Sequence, residues 1–342
     1  MPRALVAMSG GVDSAASALL MQQMGYDVCG VTLILNSNYD DAEGAKATAQ
    51  KLGIDHYSLE AEDVFSSLVI DSFVSEYCEG RTPNPCILCN KHIKFGVLYQ
   101  EMVNKNFDVL ATGHYATVGW DDEQNEPRLR KGADINKDQS YVLYSVTRDK
   151  LKNVVFPLGD KTKDQVRAIL KDAGIDCCTK AESQDICFVP DGDYAGFIKQ
   201  KTDAGTCCGN FCNTQGEIVG KHNGLINYTV GQRRGLGVPA QESYYVLKKD
   251  AQSNNITLGF KNEIMTDTFC VRDINVLCPS LFVSGNKYSV RTRYHQKETE
   301  CSVVFEENGV KVITDTQIRI PAPGQSAVFY LDDVVVAGGI IY

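Results

Sequence analysis

Three cysteines have neighbours that favour a reactive thiol. Cys86 and Cys89 lie three residues apart in the segment 82–91, TPNPCILCNK, and Cys187 follows about a hundred residues later. The apolar pattern predicts a helix from Cys89 to Val103. Because a helix N-terminus stabilises a thiolate, we expect this position to lower the pKa of Cys89. The thiolate is the form that attacks electrophiles and exchanges disulfides, so these residues predict sulfur chemistry.

A glycine-rich loop predicts a second kind of chemistry. Residues 9–14, SGGVDS, follow an apolar strand and begin an apolar-periodic helix. Two glycines allow a tight turn whose N–H groups point into a concavity, and the helix dipole adds to the field, so the loop suits a phosphate. Asp13 in the first helical turn favours the dipole, and its carboxylate suits Mg²⁺. The loop has no lysine of the Walker type, which indicates a different nucleotide chemistry.

The elements around these residues alternate between strands and helices. The predicted strands are Arg3–Met8, Val28–Leu35, His56–Leu59 and Asp108–Thr112. The predicted helices are Asp13–Met24, Asp40–Leu52, Glu62–Tyr77, Cys89–Val103 and Lys163–Ala173. This order predicts an α/β fold of the doubly wound type, in which helices cover both faces of a parallel sheet. Ligands bind such sheets at the carboxyl ends of the strands, where the glycine-rich loop lies.

The pattern changes after about Thr202, where Gly-rich turns separate short runs of β-formers. This part of the chain is predicted to be all-β. We divide the chain into a catalytic domain (1–202), a small central domain (203–266) and a C-terminal β-barrel (267–342).

Composition and charge restrict the class of protein. Hydrophobic residues make up 43% and charged residues 23% of the 342 residues, as in ordinary globular proteins. No apolar run approaches the ~20 residues of a membrane span, and the N-terminus lacks a signal-peptide pattern, so we expect a cytoplasmic protein without a membrane partner. In a reducing compartment its 13 cysteines would be ligands, nucleophiles or core residues. The net charge of −9 does not favour nucleic acid, yet two basic stretches, 232–234 and 287–297, suit phosphate contacts.

The loop SGGVDS resembles the PP-loop of the N-type ATP pyrophosphatases, which cleave ATP between the α- and β-phosphates and adenylate a substrate. The resemblance implies Mg²⁺ as the accompanying ion. It implies an ATP site made by Ala7, Met8, Ser9, Gly10, Gly11, Val12, Asp13 and Ser14. Leu33, at the end of the second predicted strand, stands where this superfamily places an adenine contact, with a plain core leucine as the alternative.

Further motifs follow in order along the whole chain. They are ATGHY (111–115), KDQSY (137–141), ESQDICFV (182–189), GQRRGLG (231–237), RY (293–294) and PGQ (323–325). With the loop and TPNPCILCNK, they closely resemble the tRNA-specific 2-thiouridylases. This resemblance implies a transferase that adenylates O2 of the wobble uridine of tRNA with ATP and then replaces that oxygen with sulfur.

The resemblance also implies a role for each matching residue. Cys89 would be the nucleophile and Cys187 the persulfide carrier, while Gly113 would join Leu33 beside the nucleotide. The residues that would face the target base are Asn84, Pro85 and Cys86. The residues that would contact tRNA are His114, Lys137, Asp138, Gln139, Arg293, Tyr294 and Gln325.

One position departs from the family pattern, which has Asp where this chain has Cys86. The site therefore carries three thiols, and two sulfur routes stay open. In the first, a sulfur donor protein loads a persulfide on Cys187, and Cys89 either activates it by thiol exchange or closes a disulfide with Cys187 afterwards. In the second, all three cysteines hold a [4Fe–4S] cluster whose fourth iron binds sulfide. A redox dithiol at Cys86 and Cys89 is a further alternative, whereas zinc lacks a fourth ligand at a recognisable spacing.

Two other functions would use the same motifs. An AMP-forming amide ligase has the same loop and uses ammonia as the nucleophile, but the paired thiols argue against it. A nucleotide-sensing or RNA-binding module without catalysis is disfavoured by the intact loop together with Cys89 and Cys187. Cys207, Cys208 and Cys212 lie in a turn-rich stretch without an evident fourth metal ligand, so loop or core positions suit them better.

Overall fold

A five-stranded parallel sheet forms the centre of the N-terminal region. The structure is a computed structural model that describes residues 1–35, 41–175, 186–189 and 192–342. The sheet has the order β3-β2-β1-β4-β7. Its strands are β1 (Arg3–Ala7), β2 (Asp27–Ile34), β3 (Asp55–Glu60), β4 (Val109–Ala111) and β7 (Val154–Val155). The predicted doubly wound α/β fold is therefore confirmed, with β7 added at the edge beyond β4.

Helices connect these strands and cover the sheet. The α-helices of the described residues are α1 (Val12–Gln23), α2 (Asp41–Leu52), α3 (Glu62–Phe65), α4 (Asp71–Cys78), α5 (Pro85–Leu88), α6 (Leu98–Asn104), α7 (Ser140–Leu143), α8 (Arg148–Leu151), α9 (Lys163–Asp172) and α10 (Tyr194–Lys201). Two segments are π-helical, Ser66–Ile70 and Cys89–Val97, and a 3₁₀ turn spans Leu225–Asn227. No helix in the described ranges is long and apolar enough to cross a membrane.

Two predicted helices differ from the structure in their details. The helix predicted over Glu62–Tyr77 is interrupted by the first π-helical segment. The helix predicted to begin at Cys89 begins at Pro85, since Asn84 caps it and proline at the first helical position lacks only an N–H that would have no helical partner. By contrast, the Thr162 cap of α9 is confirmed as a full capping box with Gln165.

The small central sheet follows the α/β region. Its order is β10-β11-β8-β9. Its strands are β8 (Gly209–Cys212), β9 (Ile218–His222), β10 (Tyr245–Asp250) and β11 (Asn255–Gly259). Phe211 and Ile256 are fully buried in its core, whereas Cys207 and Cys208 are exposed on the turn before β8.

A closed antiparallel barrel ends the chain. Its strands are β12 (Met265–Val276), β13 (Lys287–Arg291), β14 (Thr299–Glu306), β15 (Gly309–Arg319), β16 (Ser326–Leu331) and β17 (Val334–Ile341). The order is β12-β15-β14-β13-β16-β17, and β12 also pairs with β17, which closes the barrel. The predicted C-terminal barrel is confirmed.

A hairpin from the N-terminal region extends the sheet of the barrel. Strands β5 (Ala116–Asp121) and β6 (Glu126–Lys131) form this hairpin, and β6 pairs with β17 through Arg130 and Val334. One hydrophobic cluster accordingly runs from Leu5 in the parallel sheet to Phe329 in the barrel. The boundaries predicted at 202 and 266 stay a prediction, but the hairpin shows that the first and last regions share a core.

Candidate active site between the parallel sheet and the barrel

The glycine-rich loop is held by its own serines. Gly10 has a positive φ of 72°, a conformation that favours glycine, and Gly11 is the N-cap of α1. The buried Ser14 hydroxyl accepts the N–H of Ser9 at 3.1 Å and donates to the carbonyl of Gly11 at 3.0 Å. These bonds fix the loop at the N-terminus of α1, where N–H groups and the helix dipole favour an anion, and the phosphate site stays a prediction.

Two further glycines let the neighbouring elements approach this loop. A Cβ at Gly113, just after β4, would lie 3.1 Å from the backbone of Asp13. A Cβ at Gly44 of α2 would lie 3.7 Å from the Cα of Gly10. Gly113 thus lies beside the loop, and its predicted place next to the nucleotide stays a prediction. Leu33 is half-buried near the carboxyl end of β2 and packs against two hydrophobic clusters, so its adenine contact stays a prediction.

Hydrogen bonds also fix the strand that enters the loop. Met8 donates its N–H to Val31, and its carbonyl accepts the hydroxyl of Thr32 at 2.9 Å. The Thr32 oxygen lies 2.9 Å from Nε2 of His56, whose pKa is lowered by burial and by the charge of Lys46. Because Thr32 donates its hydroxyl proton to the Met8 carbonyl, it can only accept from His56. Nε2 of the neutral ring is therefore assigned the proton and donates to Thr32.

Asp13 is engaged by two residues from outside the loop. The Tyr115 hydroxyl donates to its Oδ1 at 2.7 Å. The Nζ of Lys163 lies 2.8 Å from Oδ1 and 2.9 Å from Oδ2, and Lys163 is buried. Lys163 was not among the predicted site residues, because nothing in its local pattern relates it to a loop 150 residues earlier.

The segment that carries Cys86 and Cys89 begins with a capped helix. Oδ1 of Asn84 accepts the N–H of Cys86 at 3.1 Å, and Pro85 occupies the first helical position. Cys89 therefore lies one turn inside the helix, and the predicted N-terminal position for it is wrong. Burial raises the pKa of Cys89 above its usual value, opposite to the predicted direction, and raises that of Cys86 as well.

The π-helical register places Lys94 near these thiols. In a π-helix, backbone bonds join residues five apart, as the N–H of Leu98 does with the carbonyl of Ile93. Residues 89 and 94 therefore approach the same side, whereas an α-helix aligns residues three and four apart. The positive charge of Lys94 lowers the pKa of both Cys86 and Cys89, although burial has the larger effect.

Cys187 belongs to the same group of thiols. Its pKa is raised to about 11, first by burial and then by the charges of Cys89 and Cys86, while Lys94 opposes the shift. Cys86 and Cys187 reach solvent, yet the groups packed around them disfavour the thiolate. All three are free thiols. Because Cys89 and Cys86 both act electrostatically on Cys187, the three cysteines that the sequence selected lie near one another.

His114 links this group to the loop. Its Nε2 lies 3.4 Å from Nζ of Lys94, and its Nδ1 lies 2.7 Å from Oγ1 of Thr112. Burial first, and the charge of Lys94 second, hold the pKa of His114 well below its usual value. Because the ammonium can only donate, Nε2 is the acceptor and Nδ1 carries the proton. His114 is 5% exposed, and its predicted tRNA contact stays a prediction.

The side chains of Asp138 and Gln139 form hydrogen bonds within the protein. Asp138 is 5% exposed and accepts the N–H groups of Gly132 and Ser140, each at 3.1 Å. Its other oxygen accepts Nη1 of Arg291, in β13, at 2.8 Å. Gln139 accepts the N–H of Tyr115 at 3.0 Å. Asp138 therefore joins the catalytic region to the barrel, and its direct contact with tRNA stays a prediction, as do those of Lys137 and Gln139.

The barrel contributes a loop to the thiol site. Tyr294 is half-buried, and its pKa is raised to about 12 by burial first, then by the charges of Asp138 and Cys86. An open cleft of about 400 Å³ lies beside it, between the loop that contains Asp138 and the barrel residues 294–298. Arg293 is exposed and donates to the carbonyl of Val230 at 3.1 Å, so it also contacts the central domain.

Gln325 positions the loop before Cys86. Its Nε2 donates to the carbonyl of Thr82 at 2.7 Å, and the N–H of Thr82 donates to Pro323 at 2.8 Å. A Cβ at Gly324 would lie 2.9 Å from the backbone of Thr82, so only glycine permits this approach. The contact observed for Gln325 is thus with the protein, and its tRNA contact stays a prediction.

The two predicted inorganic groups differ in how well the residues suit them. In the described ranges, no group of three or more His, Cys, Asp and Glu side chains is arranged to hold a metal ion. The three thiols therefore do not fit an iron–sulfur cluster as they are placed. Asp13 beside the hydroxyl-lined loop fits Mg²⁺, which prefers a few carboxylate oxygens together with the phosphates of a substrate.

Three family models match successive parts of the chain. Residues 2–191 match the tRNA methyl transferase HUP domain, and residues 196–260 match the tRNA methyl transferase PRC-barrel domain. Residues 266–341 match the aminomethyltransferase beta-barrel domain.

Curated relatives match over essentially the full length. The tRNA-specific 2-thiouridylase MnmA of Acetivibrio thermocellus is 40% identical, with 99% of each chain covered. The MnmA of Treponema denticola is also 40% identical, covering 99% of this chain and 97% of its own. That of Halothermothrix orenii is 39% identical, covering 100% and 99%. This chain therefore belongs to the family of the tRNA-specific 2-thiouridylases.

Proposed function

We propose that the protein is an ATP-dependent tRNA-uridine 2-sulfurtransferase. One observation carries this proposal: the phosphate loop and the thiols are joined by two adjacent residues. Gly113 packs on Asp13 of the loop, and His114 contacts Lys94, whose charge acts on all three thiols. A substrate activated at the loop would therefore remain near the sulfur nucleophiles.

The first step is adenylation of the uracil. The O2 atom of the base attacks the α-phosphorus of ATP, the α–β phosphoanhydride bond breaks, and pyrophosphate leaves. The N–H groups at the start of α1 and the exposed hydroxyl of Ser9 bind the phosphates, while the buried Ser14 hydroxyl keeps its bond to Gly11. Asp13 is the residue that would hold Mg²⁺, which neutralises phosphate charge when bound.

The second step transfers sulfur by the persulfide route. The terminal sulfur of a Cys187 persulfide attacks C2 of the adenylated base, and AMP leaves with the former O2. The Cys89 thiolate then attacks Sγ of Cys187, which breaks the bond to the transferred sulfur and leaves the electron pair on it. The products are 2-thiouridine and a Cys89–Cys187 disulfide. An external thiol supplies the two electrons that restore the cysteines, and a sulfur donor protein reloads Cys187.

Lys94 supports this chemistry because its positive charge lowers the pKa of all three thiols. A positive charge stabilises a thiolate or persulfide anion against the desolvation that opposes it. Cys86 occupies the position that faces the base in the family pattern. We propose that it lines the base pocket with Asn84, and that Tyr294 provides an aromatic surface for the base.

Exposed basic residues near the cleft would bind the tRNA backbone. Arg233, Arg234, Arg293, His295 and Lys297 are exposed on loops of the central domain and barrel. The contact of Arg293 with Val230 brings these two loops together. Backbone binding of this kind is compatible with a net charge of −9, because it depends on the local potential.

The experiment is a thiolation assay with the full chain. Purified protein, an unmodified tRNA, ATP, Mg²⁺, cysteine, a cysteine desulfurase and a thiol reductant are combined, and nucleosides are analysed by mass spectrometry. We expect 2-thiouridine together with equal amounts of AMP and pyrophosphate. ADP as the main nucleotide product, or no 2-thiouridine, would contradict the proposal. An active preparation without bound iron would exclude the cluster route, whereas activity that appears only after iron and sulfide are added would exclude the persulfide route.

A further inference from the structure

A buried lysine contacts the glycine-rich loop from a different element. Lys163 is the first residue of α9 and is 8% exposed. Its Nζ lies within 2.9 Å of both carboxylate oxygens of Asp13, and Tyr115 donates its hydroxyl to one of them. A lysine is rarely buried this far unless it is paired, so the role of Lys163 is tied to the loop that it faces.

The start of α9 is positioned independently of Asp13. Thr162 and Gln165 form a capping box, and Asp134 accepts the N–H of Lys163 at 3.1 Å. Val166 is buried in a hydrophobic cluster shared with α1, which is the helix that begins in the loop. The backbone of Lys163 is therefore held beside the loop by capping and packing, so the ammonium can change partners without moving the helix.

We infer that Lys163 is the phosphate-binding cation of this loop and that Asp13 holds it in place until the nucleotide binds. The inference rests on the proposed function, because it assumes that the loop binds ATP. Residues 9–14 contain no lysine or arginine of their own, while the N-terminus of α1 is suited to a polyphosphate. Lys163 supplies the missing cation from a distant part of the chain.

Binding would then exchange the partners of both charged groups. The Lys163 ammonium turns from Asp13 to phosphate oxygens, and the freed carboxylate of Asp13 becomes available to Mg²⁺. The buried Lys163 ammonium and the half-buried Asp13 carboxylate each keep a partner of opposite sign, so the exchange avoids the cost of an unpaired buried ammonium. Until then Lys163 and a divalent cation compete for the same carboxylate, which makes the nucleotide-free loop a poor cation site.

The first test measures ATP affinity by calorimetry on the full chain, in EDTA and in Mg²⁺. Lys163→Met removes a charge-assisted hydrogen bond to phosphate and should raise the Kd for ATP by roughly 10-fold to 100-fold. Lys163→Arg keeps the charge and should raise the Kd less than Lys163→Met does, although a guanidinium does not reproduce the geometry of the ammonium. The matched control is Lys161→Met, because Lys161 lies two residues earlier and pairs with the exposed Asp160. An unchanged Kd for Lys163→Met would overturn the inference.

The second test measures Mn²⁺ binding to the nucleotide-free protein by electron paramagnetic resonance. Lys163→Met frees the Asp13 carboxylate and should create a Mn²⁺ site that the wild type lacks. The double variant with Asp13→Asn should lose that site again. A Lys163→Met protein that is folded by circular dichroism but gains no Mn²⁺ site would contradict the competition between the two cations.

A further variant covers the case in which Lys163→Met does not fold. Asp13→Asn releases the Lys163 ammonium to the phosphates. The affinity of this variant for ATP in EDTA should therefore equal or exceed that of the wild type. Adding Mg²⁺ should no longer increase the affinity, because the carboxylate that would hold the ion is lost. A weaker affinity in EDTA would overturn the inference. The thiolation assay on the wild type is a separate readout, so failure of the proposed function can be distinguished from failure of the role of Lys163.

Discussion

The glycine-rich loop and the thiol site, although joined through Gly113 and His114, are built differently. In the loop, Ser14 and Asp13 have defined hydrogen-bond partners. In the thiol site, burial opposes ionisation of all three cysteines. Within the described residues, Oδ1 of Asn90, next to Cys89, and Oγ1 of Thr82, before the capped helix, are buried without a partner.

This difference indicates that the two sites are completed at different stages. A buried polar atom without a partner costs about 1–3 kcal/mol, so native proteins retain few of them. Both atoms lie on or just before the segment that carries Cys86 and Cys89, so we expect substrate binding to change this segment more than it changes the glycine-rich loop. The following predictions separate a preformed loop from a thiol site that depends on its substrate.

The largest effect is expected from removing the reactive thiols. Cys89→Ser and Cys187→Ser should each lower the thiolation rate by at least ~10³-fold, since the nucleophile itself is lost. The affinity for ATP should stay unchanged, because the loop does not depend on these side chains. The measurements are 2-thiouridine formation and ATP calorimetry, with the exposed Cys208→Ser as the control. A parallel loss of ATP affinity would show that the two sites are not separable.

Cys86→Ser separates the two sulfur routes. By the persulfide route the variant should keep substantial activity, because Cys86 only lines the base pocket, and mass spectrometry should find the extra sulfur on Cys187. Loss of bound iron together with most of the activity would instead indicate that three cysteines hold a cluster.

A smaller effect is expected from the exposed arginines of the central domain. Arg233→Ala with Arg234→Ala should weaken tRNA binding and reduce the slope of log K against log salt by roughly two units, about one for each phosphate contact. A filter-binding series in salt measures this slope. Affinity for ATP should not change, and an unchanged slope would mean that these side chains only contact solvent.

Ser14→Ala tests the rigidity of the loop. It removes the contacts with Ser9 and Gly11, which should cost about 1–2 kcal/mol of stability and weaken ATP binding by roughly tenfold. Thermal melting and calorimetry measure the two quantities. Ser67→Ala, on an exposed serine with a single local bond, is the matched control and should leave both values close to the wild type. If Ser14→Ala behaved like the control, the loop would not be held in shape by Ser14, and the contrast between a preformed loop and a substrate-dependent thiol site would be wrong.

The smallest effect concerns pH. Burial raises the thiol pKa values and Lys94 lowers them, so alkylation of Cys89 by iodoacetamide should be slow at pH 7 and accelerate as the pH rises past 9. Lys94→Met should slow it several-fold further at any fixed pH, while Lys91→Met, on the same π-helical segment, should change it little. Peptide mass spectrometry measures the alkylation rates. Equal rates in the wild type and Lys94→Met would show that Lys94 does not influence the Cys89 thiol.

The raised thiol pKa values also affect folding. The folded protein holds the Cys187 proton up to about pH 11, whereas an unfolded thiol loses it near its usual pKa, so the folded state binds more protons between these values. The contribution of this thiol to stability is therefore fully present below that range and is lost as the pH rises through it.

The sequence predicted the features that depend on local pattern. The strand–loop–helix order around Gly10 and the Thr162 cap were predictable because hydrophobic periodicity and capping residues act within a few positions. The position of Cys89 was mispredicted by one turn, because Pro85 was read as loop although it suits the first turn of a helix.

The residues that complete both sites were less predictable. The pair of Lys163 with Asp13 and the tie of Gln325 to Thr82 join positions far apart in the chain, so no local signal marks them. Lys94 was missed because its closeness to Cys89 depends on the π-helical register, and an α-helix would place residues five apart on different sides.

The hairpin β5–β6 has a consequence for the order of synthesis. Arg130 of β6 pairs with Val334 of β17, which leaves the ribosome about 200 residues later. At ~5–20 residues per second, the outer edge of β6 waits for its partner for roughly 10–40 s. An unpaired edge strand attracts other chains, so this interval is a period of exposure to aggregation. Chain shortening from the C-terminus would make that exposure permanent, because the nascent hairpin would never meet the strand that covers it.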